Sequence, residues 1–331
     1  MKKFAKRLGI TLGVIVGILL AFVLVMNLIQ PLLYSGFYAE AKAEFGNAGL
    51  FDGMVPQGMT YVEKEDLFLQ CGYMADGKSP SRIYICKDGS TSYVELFDKD
   101  GNAYSSHTGG MAVGEKYVWL ANDGDGSDNC VWTIELDEIL NGDGKITRDT
   151  CIYPESRSAC VTVYDGMLWT GEFYDPEKYP TKETHHLTTG SGEENPAFLC
   201  GYRIDESTET GVASDVPEKI LSVRDKLQGI VFDDTGKAAL STSYGFSNSH
   251  IYVYENVLTD AADTSVMIDG NEIPVWFLDE DALIRDVEMM PMSEDLEILD
   301  GRLYIQGESC CLKYYFGWLF RAWDVYSIPL A

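Results

Sequence analysis

QGIVFDDTGKAALSTSYGFSNSHIYVYE, residues 228–255, reads as three short strands in succession. Its ends alternate apolar and polar residues with the period of two that a half-buried strand requires. Between the first two strands, DDTGK supplies the Asp and Gly that a tight reversal needs. The same plan recurs along the chain. QGMTYVEKEDLFLQCGY followed by SRIYIC covers 57–86, and GGMAVGEKYVWLANDG followed by NCVWTIEL covers 109–136. ACVTVYDGMLWTGEFY with AFLCGYRI covers 159–204, and EMMPMSEDLEILDGRLYIQGES with DVYSIPL covers 288–330. Further apolar stretches lie between units: TSYVELF (91–97), KITRDTCIY (145–153), PEKILSV (217–223) and IPVWFLD (273–279). Four antiparallel strands per repeat is the pattern of a β-propeller blade, which must stack on its neighbours to bury both faces. The expectation is an all-β fold: a single β-propeller of five blades, six if a degenerate unit is hidden, preceded by one N-terminal transmembrane helix. A β-sandwich would leave the repeat unexplained. The last unit lacks a fourth strand; residues 49–55 are expected to supply it, so that both termini close the ring and no edge stays open.

Residues 8–29, LGITLGVIVGILLAFVLVMNLI, form an apolar stretch of 22 residues without a charge. As a helix they would extend about 33 Å, enough to cross a hydrocarbon core. Lys2, Lys3, Lys6 and Arg7 precede them and no basic residue follows closely, which predicts a cytoplasmic N-terminus and an extracytoplasmic remainder in the cell membrane. A cleaved signal peptide is the competing reading, but Ala39-Glu40-Ala41 lies far beyond the apolar run for a cleavage site. Gly9, Gly13 and Gly17 recur at four-residue spacing and would let two such helices pack closely as a homodimer. The organisation read here is a basic stub and anchor (1–33), a juxtamembrane linker (34–49) and an extracytoplasmic propeller (50–331).

The whole chain carries −27, and removing the four basic residues of the stub leaves −31 on residues 34–331. Nucleic acid is thereby excluded as a partner, since phosphate binding needs a basic surface. Cations, calcium among them, and basic ligands remain. Eight cysteines at 71, 86, 130, 151, 160, 200, 310 and 311 contain no CxxC, which argues against a redox pair or a zinc knuckle. Cys71 with Cys86, and Cys130 with Cys151, are expected on neighbouring strands, where disulfides or simple burial are both open.

The QGM…LFLQCGY…SRIYI and GGMAV…YVWLAND arrangement resembles bacterial propellers of the broad gluconolactonase-like, YncE-like and streptogramin-lyase-like group. The likeness covers roughly residues 50–331 and implies the propeller fold. Gluconolactonase-like members hold a central divalent cation with Glu, Asn and Asp, a set with no residue-by-residue counterpart here. The activity is therefore not carried over.

Propeller topology brings two groups of residues to one face: those preceding the inner strands, and the loops between second and third strands. Gln57, His107, Arg157, Gln228 and Glu288 belong to the first group, with Gln57, Gln228 and Glu288 read as equivalent positions. A ring of amides and a carboxylate there would hold a cation, water or a polar ligand. His107, in SSHTGG, is the candidate general base, with Glu288, Glu172 or Asp123 to support it. The second group contributes Glu172, at the start of the long insertion 172–197, and Trp318, in the aromatic stretch 310–323, which reads as a ligand wall, a membrane-dipping loop, an oligomer contact or core. Asp123, Asp125 and Asp128 in NDGDGSDN concentrate oxygen ligands suited to calcium, although the spacing is not that of an EF-hand. GxSxG, Walker A, GxGxxG and HExxH motifs are absent. The leading functional reading is a membrane-anchored propeller that binds a small molecule or envelope protein on its axial loop face. The alternatives are a lactonase-, lyase- or hydrolase-like enzyme with a central cation, and an envelope scaffold.

Overall fold

A computed structural model describes residues 2–330 except 125–128, 149 and 321. The chain begins with α1 (Lys2–Leu33), a helix long and apolar enough to cross a membrane, followed by the short α2 (Ser35–Glu40) and strand β1 (Lys42–Gly46). Five blades follow. The first contains β2 (Met54–Val62), β3 (Leu67–Met74), β4 (Arg82–Lys87) and β5 (Ser90–Phe97). The second contains β6 (Gly110–Val113), β7 (Tyr117–Asn122) and β8 (Cys130–Glu135). After α3 (Leu136–Asn141) the chain visits β9 (Lys145–Thr147) and returns as the blade's outer strand β10 (Thr150–Ile152). The third has β11 (Cys160–Tyr164) and β12 (Met167–Gly171), then the small hairpin β13 (Leu187–Thr188) and β14 (Glu194–Asn195), then β15 (Ala197–Arg203) and β16 (Lys219–Val223). The fourth has β17 (Leu227–Phe232), β18 (Ala238–Thr242) and β19 (Ser249–Tyr254), a detour through β20 (Thr264–Ile268) and β21 (Asn271–Phe277), and its outer strand β22 (Leu283–Met289). The fifth has β23 (Ser293–Leu299), β24 (Arg302–Gly307) and β25 (Asp324–Pro329), and β1 completes it.

The turns follow from their residues. Asp165-Gly166 and Asp300-Gly301 both take left-handed backbone, with φ of 51° and 67° and of 51° and 70°. That pair of conformations makes the two-residue hairpin whose twist matches the flanking strands. Apolar layers fill the gaps between blades: Leu69, Ile83, Val118 and Trp132 between the first two, Trp119, Leu168 and Phe198 between the next. Phe45, Phe68 and Tyr304 form the layer where the ring closes.

Two expectations change. The closing strand is residues 42–46, paired antiparallel with β25, so the segment expected as a linker is part of the propeller. Residues 49–55 instead form a 3-10 turn and the start of β2. IPVWFLD is not the fourth strand of its own blade. It lies in β21, which pairs in parallel with β16 of the third blade, just as β9 pairs in parallel with β5 of the first. These detours cover the outer edges of the first and third blades. The described residues contain no disulfide, although Cys71 and Cys86, and Cys130 and Cys151, do lie on neighbouring strands.

The five inner strands β2, β6, β11, β17 and β23 pack on one another around the axis. Their spacing is set by glycine. A Cβ on Gly229 would sit 2.7 Å from Asp295 Cα, and one on Gly58 would sit 2.8 Å from Gly110 Cα. Asp295 occupies the space these glycines leave. Its carboxylate accepts the N–H groups of Met59 at 3.0 Å, Met111 at 3.4 Å and Leu296 at 2.9 Å. Gly229→Ala must therefore push backbone against backbone, and it should lower stability by about 1–3 kcal/mol. Gly36→Ala, in α2 with open space around it, should be neutral or stabilise by up to about 1 kcal/mol. Chemical unfolding of the full chain in mild detergent checks both.

Candidate functional site

Three inner strands carry a β-bulge at the same level. The register shifts across Gln57 in β2, across Gln228 in β17 and across Glu294-Asp295 in β23. A bulge re-aims the side chain it carries. The residue equivalent to Gln57 and Gln228 is therefore Glu294. Glu288, aligned with them from sequence, lies six residues earlier on the outer strand β22, opposite His250 and exposed. The two pseudo-equivalent motifs are QG at 57 and 228 and ED at 294.

Above the Asp295 plug lies the axial mouth. Glu294 is 2% exposed and Glu308 is 9% exposed, and the two carboxyls are hydrogen-bonded neighbours. Gln57 Nε2 donates to Glu308 Oε2 at 2.9 Å. Burial pushes Glu294 well above the ordinary carboxylate range, and its like-charged neighbours add to that. Burial also raises Glu308, to about 8, against the opposing Lys313 charge. Lys313 Nζ donates to Tyr73 Oη at 2.6 Å, and the Tyr73 and Tyr314 hydroxyls are 3.2 Å apart. Burial and the nearby Glu308 raise both phenols, so they are neutral donors at ordinary pH. Gln228 Nε2 donates to Ser243 Oγ at 3.2 Å.

His107 reaches this group. Its ring lies 4.3 Å from the Tyr73 ring, centroid to centroid. Crowding by the surrounding loops, then the Lys313 charge, pushes its imidazole below the usual range, even though part of the side chain is open to solvent. A neutral imidazole is a usable acceptor, but its described contacts include no carboxylate. The carboxylates expected to support it are engaged elsewhere. Asp123 Oδ1 accepts from Arg157 Nε at 2.7 Å. Glu172 accepts from the Arg157 and Phe198 N–H groups and lies 2.9 Å from His185 Nδ1.

Arg157 and Glu172 thus belong to a second cluster, over the third blade. His185 is buried there, stacked on Phe198 at 4.3 Å, with Glu155 at 3.4 Å on its far nitrogen and Lys182 paired to that same Glu155. The insertion 172–197 that carries His185 is folded down on the blade, and its Asn195 donates to the Ser222 and Leu278 carbonyls. His186 points away, to Thr181 and Glu194. Trp318 is not at the mouth: its indole donates to the Cys311 carbonyl and its own carbonyl accepts from Asn27 of α1. Asp125 and Asp128 lie outside the described residues. Among the described residues no three His, Cys, Asp or Glu side chains converge as a metal-binding set, so this donor arrangement does not fit a central cation. The opposite end of the axis is a funnel of about 930 Å³ lined by the ends of the inner strands. At its floor Glu297 accepts from Tyr61 N and Thr60 Oγ1 at 2.8 and 3.1 Å.

Solved structures similar to this chain have very different sequences. A PQQ-bound aldose sugar dehydrogenase from Streptomyces coelicolor is 12% identical, covering 87% of this chain and 96% of that one, with a TM-score of 0.48. A glucose dehydrogenase-type oxidoreductase from Thermus thermophilus is 14% identical, with 87% and 98% covered and a TM-score of 0.46. A 6-phosphogluconolactonase-type protein from Bacteroides uniformis is 11% identical, with 76% and 63% covered and a TM-score of 0.36. At these identities and TM-scores no activity is carried over to this chain. No protein-family model and no curated protein matches the chain.

The mouth predicts a pH dependence of stability. Glu308 binds its proton more tightly in the fold than in the unfolded chain, where the carboxyl has its ordinary value near 4.5. Its contribution is therefore fully present below about 4.5 and lost as pH rises through about 8. At about 1.4 kcal/mol per unit the ceiling is about 5 kcal/mol. Thermal unfolding should show a Tm that falls between pH 5 and pH 9, with a markedly shallower fall in Glu308→Gln.

Proposed function

We propose that this protein is a membrane-anchored β-propeller, held by α1 with its N-terminus cytoplasmic, that binds a small ligand carrying a protonated amine at its axial mouth. The observation that supports this reading is the buried Glu294–Glu308 pair, flanked by Gln57. Two adjacent carboxyls in a low-dielectric site resist ionising, so the pair stays largely protonated near neutrality. An ammonium group meets the same electrostatic demand and takes the place of a proton on the pair. Tyr73 and His107 supply aromatic surface beside it, and Lys313 offers a charge to any anionic part of the ligand. The strongly acidic surface draws cations toward the face. A second reading rests on the same pair: a carboxyl titrating near 8, with the His107 imidazole packed on the adjoining Tyr73 ring, is equipment for general acid-base transfer, which an enzyme would use.

Titration calorimetry of the full chain in detergent tests the binding reading, with ethanolamine and glucosamine as probes and glucose as the uncharged control. Amine binding at pH 7 should release a proton, so the measured heat should change with the buffer's ionisation enthalpy. Glu308→Gln should abolish this, and Glu288→Gln, on an exposed outer strand, should not. Equal binding of glucose and glucosamine, or amine binding unchanged in Glu308→Gln, would sink the reading.

A further inference from the structure

The end of α1 is seated on the aromatic loop of the fifth blade rather than standing clear of the propeller. Asn27 Nδ2 donates to the Trp318 carbonyl at 2.8 Å, Gln30 Nε2 donates to the Leu319 carbonyl at 3.1 Å, and Tyr34 Oη donates to Asn248 at 3.0 Å. Asn27 lies within the apolar run 8–29. An amide inside a membrane span needs a partner, because no water is there to supply one. Here the partners are the Val23 carbonyl of the helix itself, at 2.9 Å, and backbone of the loop. Side chains from Val23 to Gln30 are partly or fully covered at intervals, so loop and helix run side by side for about two turns, or about 10 Å.

Large apolar groups crowd the same place. Tyr315 is 77% exposed, Phe316 72% and Phe246 53%, with Phe246 and Phe316 edge to face at 6.4 Å. Phe51, 82% exposed, stacks at 6.1 Å on Trp323, which neighbours Trp318. Side chains of this kind are unfavourable in water and are enriched where membrane meets water.

We propose that the 312–320 loop, with Phe246 and Phe51 beside it, is inserted in the lipid interface next to the last turns of α1, so that the face carrying the axial mouth lies against the bilayer. This rests on the reading of α1 as a membrane anchor. If the apolar run occupies the hydrocarbon, the loop hydrogen-bonded to Asn27 cannot stand in bulk water. Its aromatic side chains then meet lipid, and the mouth opens toward the headgroup layer.

The test uses the full chain in phosphatidylcholine vesicles, with an environment-sensitive thiol dye at one of three positions: Phe316→Cys in the loop, Leu19→Cys in the span, and Met267→Cys on the outer hairpin of the third blade. The unsubstituted chain, whose native thiols are buried or half-buried, is the labelling control. The dye at 316 should be quenched by doxyl-labelled lipid and be several-fold less sensitive to aqueous iodide than the dye at 267. Iodide quenching at 316 equal to that at 267, with 19 still reached by doxyl lipid, would overturn the proposal and leave the anchor intact. Protection of 316 from both quenchers would point to a protein occupant and also overturn it. A dye at 19 exposed to iodide would overturn the anchor and the proposal together.

Discussion

The neck of the ring is the constraint on which the remaining architecture depends. Five strands cannot approach one axis closely if each carries a side chain at the same level. Here glycine stands at positions 58, 110 and 229, and Asp295 alone projects a carboxylate into the gap. That group also meets backbone N–H donors of β2 and β6 that face the axis, where no ladder partner exists. One side chain therefore seals the centre and hydrogen-bonds three of the ring's backbone amides. Burial works against its charge, while those bonds favour the ionised acceptor. The seal divides the axis into two unlike ends: a mouth roofed by long loops and a funnel bounded by tight turns.

The mouth's chemistry follows from the same crowding. Bulges at the neck turn Gln57, Gln228 and Glu294 toward the loop side, and the loop after β24 returns Glu308 to meet them. Two carboxyls placed together away from water keep a proton that free carboxylates would lose. Tyr73, Tyr314 and Lys313 are hydrogen-bonded to one another beside the pair, so the site is acidic in composition yet incompletely charged. Such a site discriminates by charge as well as by shape.

The sequence made the architecture legible because propeller strands are short, alternate strictly and end in Asp-Gly turns such as 165–166 and 300–301. It also indicated which face the loops share, and it placed Gln57 and Gln228 together. It misplaced the third member because EMMPMSEDL offers three acidic residues in one apolar run, and only the pairing of β23 shows that Glu294, not Glu288, sits at the bulge. Glu308, Tyr73 and Tyr314 escaped for a different reason. Each lies at a strand end or in a loop, where local pattern says nothing about partners about 240 residues away. The closing strand was displaced because KAEFG has weak alternation and is largely exposed. Its place is decided by β25, not by its own composition.

That closing strand imposes an order of events. Among the described residues β1 comes before the other propeller strands, and its partner β25 comes after them. While the ribosome is still adding the intervening blades, β1 has no sheet to join, and the Phe45 side of the final apolar layer has nothing to cover it. The first four blades can assemble as they emerge, each on the one before. The ring becomes a ring only when β25 meets β1, so until then the first and fifth blades stand apart with a bare apolar face on each.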